Sequence, residues 1–187
     1  LHLSIRRQRQ MCIRDSGCGD FSVQAAIQKA AANVGLEPEE VAIITGIGCS
    51  GRLSGYINSY GVHGIHGRAL PLAQGVKMAN KDLTVIASGG DGDGYAIGMG
   101  HTIHALRRNM NMTYIVMDNQ IYGLTKGQTS PSSAVGFVTK STPKGNIEKN
   151  VAPLELALSS GATFVAQGFS SDIKALTKLI EDAINHD

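Results

Sequence analysis

Apolar residues recur along this chain in two rhythms, short unbroken runs and longer stretches spaced for one face of a helix, and the two alternate from residue 20 onward. Asp20 is placed to cap a helix over 21–34 that Gly35 closes. Val41–Thr45 then reads as a short β-branched strand running into the glycine-rich loop Gly46-Ile47-Gly48-Cys49-Ser50-Gly51. Pro71 suits the first turn of a helix through Ala79, and 83–88 is a second apolar strand that ends in Gly89-Gly90-Asp91-Gly92-Asp93-Gly94. A helix over 95–108, a third strand over 113–118, a helix over 152–159 with Pro153 early and a fourth strand over 163–167 follow. The last element, 171–186, is an amphipathic helix with Ile173, Leu176, Leu179, Ile180, Ala183 and Ile184 on its apolar side.

Short apolar strands separated by helices predict an α/β fold with a doubly wound, mostly parallel sheet. Such sheets bind ligands at the carboxyl ends of their strands, and three of the four expected strands run there into polar, mostly glycine-rich loops. There is no internal repeat, low-complexity tract or linker, so residues 17–187 are expected to form one domain.

Composition adds exclusions. At 187 residues, 42% hydrophobic and 17% charged, the chain has enough apolar material for a core of its own and does not read as disordered. No run approaches the roughly 18 to 20 apolar residues that span a membrane, and the basic start lacks the apolar stretch of a secretory signal, so a cytoplasmic protein with no membrane partner is expected. The net charge of +2 is carried by Arg6, Arg7, Arg9 and Arg14, which with Asp15 supply +3 and leave −1 for residues 17–187. That balance gives no footprint for nucleic acid. Residues 1–16, LHLSIRRQRQMCIRDS, lack helical or strand periodicity and read as foreign to the domain, like a translated adapter tract, so Cys12 is set aside. The final helix stops abruptly, which suggests that the natural chain continues beyond it. Three cysteines at uneven spacing make no disulfide framework, and in an intracellular protein they point to buried thiols or metal ligands.

The chemistry concentrates in Gly90-Asp91-Gly92, followed 27 residues after Gly92 by Asn119 in Asp118-Asn119. Mg²⁺ is small and hard and takes about six oxygens in an octahedron, so a carboxylate at Asp91 and a carboxamide at Asn119 suit it when it is tied to a diphosphate. Gly92 would let the main chain approach the phosphates, and the helix starting near Tyr95 would aim its amide groups and positive dipole end at them. Taken alone, GDGDG is as often a turn before a helix, or a dinucleotide loop. The dinucleotide alternative is disfavoured because acidic groups would lie where the diphosphate sits, which makes sense only with an intervening cation.

In order along the chain, Gly17-Cys18-Gly19-Asp20-Phe21, Thr45-Gly46-Ile47-Gly48-Cys49-Ser50, His63-Gly64-Ile65-His66-Gly67-Arg68-Ala69, Gly89 through Gly94, and the run from Asp118 through Gln128 resemble the thiamine-diphosphate-binding β subunit of 2-oxoacid:ferredoxin oxidoreductases. The resemblance runs over 17–187 and implies a thiamine-diphosphate-binding fold of the diphosphate-binding type. It implies that Ile47, Gly48, Cys49, Ser50 and His66 line the cofactor's diphosphate and that Gly92, Asp93, Gly123 and Leu124 complete its pocket. It further implies Mg²⁺ on Asp91, Asn119 and the main-chain carbonyl of Ile121. For His63 and His66 the alternatives are a zinc pair or surface histidines, but no Cys or carboxylate stands at ligand spacing beside them, and only His66 is given a cofactor role.

The resemblance also implies a [4Fe–4S] cluster held by four thiolates. Cys18 matches the second and Cys49 the third, whereas Asp15 stands at the first and the fourth would lie beyond Asp187. Clusters of this type normally need four cysteines, so this sequence as it stands is not expected to assemble one, although the intact protein is. On spacing alone Cys18 and Cys49 would be ordinary buried thiols.

The implied reaction is coenzyme A-dependent oxidative decarboxylation of a 2-oxoacid, with single electrons passed through the iron–sulfur cluster to ferredoxin, while the cofactor carries the difficult chemistry. The glutamate that activates the cofactor's aminopyrimidine ring is implied on an α subunit, so no catalytic residue is assigned here and an αβ or α2β2 assembly is expected. The stretch from Tyr122 through Gln128 resembles the 2-oxoglutarate-using members, in which Lys126 could pair with a distal carboxylate; the alternative is a solvated loop lysine. A pyruvate or broad-range enzyme, a non-redox decarboxylase or acetolactate-type enzyme without the cysteines, and a pure binding module are the other readings.

Overall fold

The structure is a computed structural model and describes residues 19–186. Residues 1–18 and the terminal Asp187 lie outside it, and with them Cys18 and the segment read as foreign. The first helix, α1 (Asp20–Asn33), ends as expected: Gly35 takes a left-handed φ of 79°, and the amides of Gly35 and Leu36 bond back to the carbonyls of Ala32 and Ala31. Its start differs from expectation. Gly19, with φ 74°, holds the cap position, and Asp20 is the first helical residue rather than the cap.

The sheet is four-stranded and fully parallel, in the order β2-β1-β3-β4, with β1 Val41–Thr45, β2 Tyr60–His63, β3 Thr84–Gly90 and β4 Thr113–Met117. Residues alternate across β1. Val41 and Ile43, with Ile86 of β3, pack against α1 (Val23, Ala26, Ile27, Ala30) and against α5 (Ile173–Ile184) through Ile180. Ala42 and Ile44, with Val85 and Ala87, face the opposite layer, formed by α2 (Ala69–Ala79) and α3 (Met99–Arg108) through Leu70, Ala73 and Ala105. Helices on both faces explain why the strands read as continuous apolar runs. Burying an isoleucine such as Ile43 or Ile86 contributes about 1.5–3 kcal/mol.

Two strand expectations change. β2 is a strand that the apolar pattern does not reveal, because all four of its residues are exposed at the sheet edge and Gly61 interrupts it. Conversely, 163–167 joins no ladder. Thr163 hydrogen-bonds to Asn109 and His186, and Phe164 stacks on the His186 ring at 5.4 Å, so the segment is held by the end of α5 instead of by strand pairing.

The helix expected over 95–108 is also modified. A single π turn over Asp93–Ile97 precedes α3, with the amide of Gly98 donating to the carbonyl of Asp93 at 3.0 Å. Such turns distort an otherwise regular helix and often mark sites. A two-stranded antiparallel hairpin, β5 (Ile121–Tyr122) and β6 (Gln128–Thr129), follows β4, and α4 (Pro153–Ser159) and α5 complete the order; Asp172 caps α5 by accepting the Ala175 amide at 3.0 Å. Among the described residues no helix is long and apolar enough to cross a membrane.

Candidate cofactor site

A cleft opens at the carboxyl ends of β1, β3 and β4, where a doubly wound sheet is expected to bind ligands. It is lined by Ile47, Gly48, Cys49 and Ser50 after β1, by His66 after β2, by Gly90 at the end of β3 with Asp91, Gly92 and Asp93 beyond it, and by Met117 at the end of β4 with Asn119, Ile121, Tyr122, Gly123, Leu124 and Thr125 beyond it, together with Asp20. Every cofactor and Mg²⁺ residue expected from the sequence is therefore in one cleft. Lys126 is exposed at the tip of the β5–β6 hairpin, next to the lining residue Thr125, and Cys18 falls outside the described residues.

Asp93 holds the wall of this cleft together. It is 3% exposed, and its Oδ1 accepts the amide of Ile47 at 3.1 Å, the amide of Gly67 at 2.8 Å and Nδ1–H of His66 at 2.7 Å. With Nδ1 committed to Asp93, Nε2 of His66 is left for whatever occupies the cleft. The backbone must come close for this to work: a Cβ on Gly46 would collide with the Asp93 carboxylate, and one on Gly92 with the Tyr122 ring. Tyr122 in turn donates its hydroxyl to the Gly92 carbonyl at 3.2 Å and stands edge-on to His66, 6.4 Å away between ring centres.

His63, the other histidine of the motif, has a structural role. Its Nδ1 and the Thr45 hydroxyl both bond to the Gly51 carbonyl, at 2.5 and 2.7 Å, which seats the 3₁₀ turn Ser50–Gly55 on the end of β1. This keeps Cys49 and Ser50 at the cleft.

Asp91, 2% exposed, stands on the first helical turn after β3. Its Oδ2 receives the Ser132 hydroxyl at 2.5 Å, and the same hydroxyl lies 2.7 Å from Asp118 Oδ1. One hydroxyl proton serves one carboxylate at a time, so the other close oxygen pair is left to repel unless positive charge is nearby. The site thus fits a cation. Among the described residues no three His, Cys, Asp or Glu side chains converge as metal ligands, so a cation here must draw on amide and carbonyl oxygens and on its own ligand, as Mg²⁺ on a diphosphate does. Asn119 Oδ1, which accepts the Ile121 amide at 3.2 Å, and the Ile121 main chain are the adjacent oxygen donors.

The same negative field reaches Tyr95, whose hydroxyl is pushed up to about 12, first by burial and then by Asp118 and Asp91. Tyr122 is raised as well, by burial and then by Asp91 and Asp93.

Sequence reasoning overlooked Tyr122 and Thr125 as lining residues and gave no role to Ser132, Ser133 or Asp118. Ser130-Pro131-Ser132-Ser133 looks like an ordinary polar turn, yet Ser132 and Ser133 are 3% and 1% exposed, and Ser133 donates to the Gln120 carbonyl at 2.6 Å. The one available signal was a serine-rich turn close behind the Asn119 motif.

Known proteins resemble this chain over most of its length. Residues 46–187 match the family described as thiamine pyrophosphate enzyme, C-terminal TPP binding domain. The β subunit of 2-oxoacid:ferredoxin oxidoreductase from Saccharolobus solfataricus is 50% identical over 172 residues, covering 91% of this chain and 56% of the relative. The chain belongs to this family of β subunits. The 2-oxoglutarate oxidoreductase subunit KorB of Mycobacterium tuberculosis is 48% identical over 170 residues, covering 91% of this chain and 46% of the relative. A solved 2-oxoglutarate:ferredoxin oxidoreductase from Magnetococcus marinus, with 2-oxoglutarate, coenzyme A and succinyl-CoA bound, superposes with a TM-score of 0.90 at 46% identity, over 91% of this chain and 59% of that one. The chain thus spans about half the length of the curated relatives it matches. The matched segment, which the family description calls TPP binding, contains every residue that lines the cleft except Asp20.

Proposed function

We propose that residues 17–187 form the diphosphate-binding domain of a cytoplasmic 2-oxoglutarate:ferredoxin oxidoreductase, working with an α subunit that completes the site. The observation that carries this reading is the convergence of Ile47, Gly48, Cys49, Ser50, His66, Asp91, Gly92, Asp93, Asn119, Ile121, Gly123 and Leu124 on one cleft, with a buried carboxylate beside a second acidic group. Asp91, Asn119 and the Ile121 carbonyl would hold Mg²⁺. His66 Nε2 and the amides of the loop after β1 would hold the diphosphate, the dipole of the helical turn at Asp91 adding to them.

Thiamine diphosphate, when bound, supplies the electron sink for decarboxylation. The chain's own groups would bind and orient it: Asp93 fixes the His66 ring, and Tyr122 packs against Gly92 in the wall. In the overall reaction the 2-oxoacid and coenzyme A would give an acyl-coenzyme A, carbon dioxide and two protons, with two electrons going to ferredoxin; a [4Fe–4S] cluster in the intact protein would supply the single-electron chemistry. Cys49 lines the cleft, which suits a cluster ligand near the reacting centre, with Cys18 as a second ligand. Lys126 would pair with the distal carboxylate of 2-oxoglutarate, a group that pyruvate lacks. The 2-oxoglutarate named for two of the relatives supports this substrate over pyruvate.

The test is calorimetric titration of thiamine diphosphate into the enzyme assembled with its partner subunit, with and without Mg²⁺, for the natural sequence and for Asp91→Ala. Binding that requires Mg²⁺ and is lost in Asp91→Ala is expected. Absence of binding with both partner and Mg²⁺ present would overturn the proposal.

A further inference from the structure

Ser132 lies behind the cleft, not among the residues that line it, yet it touches the acidic pair directly. Resting on the proposed function, we infer that Ser132 is a positioning residue for the divalent cation. Its hydroxyl bonds to Asp91 Oδ2, which fixes the carboxylate's rotation and leaves Oδ1 for the metal, and it holds Asp118 nearby as a second negative charge that the cation neutralises without direct ligation.

The surrounding bonds make this a built arrangement. Ser132 is 3% exposed and sits 2.5 Å from Asp91 Oδ2, 2.7 Å from Asp118 Oδ1 and 3.3 Å from the Ser130 hydroxyl. Its neighbour Ser133 accepts the Ser130 amide at 2.8 Å and donates to the Gln120 carbonyl, so the turn is pinned to the segment that carries Asn119 and Ile121. Asp118 Oδ1 also accepts the Gln120 amide at 3.1 Å, which fixes its carboxylate on the same segment. The turn at 130–133 therefore links the strand-β3 ligand to the ligands that follow β4. Groups that orient metal-binding carboxylates in this way typically change metal affinity on the order of 10- to 100-fold when removed.

The assembled enzyme, stripped of metal and supplied with saturating thiamine diphosphate, would be titrated with Mn²⁺ while the electron paramagnetic resonance signal of free Mn²⁺ is followed. Ser132→Ala, Ser132→Thr and Asp91→Ala would be compared with the natural sequence, and a melting curve run on each. The positioning role predicts that Ser132→Ala raises the half-saturating Mn²⁺ concentration on the order of tenfold with an unchanged melting temperature, and that Ser132→Thr, which keeps the hydroxyl, binds as the natural sequence does. If Ser132→Ala binds Mn²⁺ normally while Asp91→Ala does not, the role of Ser132 is overturned and the metal site stands. If Asp91→Ala also binds normally, the proposed function falls with it. Weakening in both Ser132 variants, or loss of the folded enzyme in Ser132→Ala, would make the residue a packing contact and overturn the inference.

Discussion

Asp93 Oδ1 lies 2.7 Å from Nδ1 of His66, and the same oxygen bonds to the amides of Ile47 and Gly67. Ile47 follows β1, His66 and Gly67 follow β2, and Asp93 follows β3, so one buried carboxylate oxygen ties together the loops at the ends of three adjacent strands. The π turn Asp93–Ile97 begins at this residue, three positions beyond the end of β3. A resemblance-based role for Asp93 as a cofactor contact is thereby joined by a structural one.

Replacing Asp93 separates the two roles. Asp93→Asn keeps one carbonyl acceptor and the shape of the side chain, but removes the charge and weakens the hold on the His66 ring. Thiamine diphosphate affinity of the assembled enzyme is expected to fall about tenfold, with a loss of stability of about 1–2 kcal/mol. Asp93→Ala leaves the buried Gly67 amide and the half-buried Ile47 amide without an acceptor, and about 3–5 kcal/mol is expected to be lost. Urea denaturation of each variant beside calorimetric cofactor titration checks both figures; equal destabilisation by Asn and Ala would show that the acceptor does not matter.

Gly46 is fixed by the same carboxylate. A methyl group there would overlap the Asp93 side chain, which is buried and bonded on three sides and so cannot retreat. Gly46→Ala is expected to cost about 1–3 kcal/mol through overpacking and to reduce cofactor binding, whereas Gly75→Ala, on the helix α2 with open space around its Cβ, should be neutral or stabilising. Melting curves of the two variants check this: a clear fall is expected for Gly46→Ala and none for Gly75→Ala.

These contacts mark the boundary of what the sequence discloses. Runs such as Val41–Thr45 announce buried parallel strands because each residue's local chemistry already demands burial on both faces. β2 gives no such signal, since Tyr60 and Val62 sit exposed at an edge and the strand exists only because β1 offers a ladder. The segment 163–167 has the reverse fault: its composition suits a strand, but Asn109 and His186 claim it. The residues of the cleft were named through the family resemblance, since the glycine-rich loops and the Asp–Asn pair taken alone fit a plain turn or a dinucleotide loop as well. Ser132 was not, because a serine's burial is decided by what the fold brings over it.

Tyr95 gives the site a measurable alkaline limit. Below about pH 10 its hydroxyl is neutral in both the folded and the unfolded chain, whereas above that the unfolded chain ionises and the folded one does not until about 12. Stability present below pH 10 is therefore lost between pH 10 and 12, by about 2–3 kcal/mol from this group. Urea midpoints of the metal-free protein measured from pH 9 to 12 should fall along this window. Tyr95→Phe, which cannot ionise, should flatten the fall; an unchanged slope would remove Tyr95 as its source.

Lys126 combines an exposed position with an unfavourable backbone. Its φ of 71° is left-handed, a conformation that costs a side-chain-bearing residue about 1 kcal/mol, and it is followed by Gly127 at φ 92° within the hairpin between β5 and β6. Glycine would relieve that strain, and the proposed pairing with the distal carboxylate of 2-oxoglutarate would give lysine a use at this position. Lys126→Gly is expected to leave stability unchanged or slightly raised while increasing KM for 2-oxoglutarate about tenfold or more, with little change for pyruvate, since only the dicarboxylate offers a distal partner. Steady-state kinetics of the assembled enzyme on both acids checks this, and a parallel loss on both substrates would assign Lys126 to a contact they share instead.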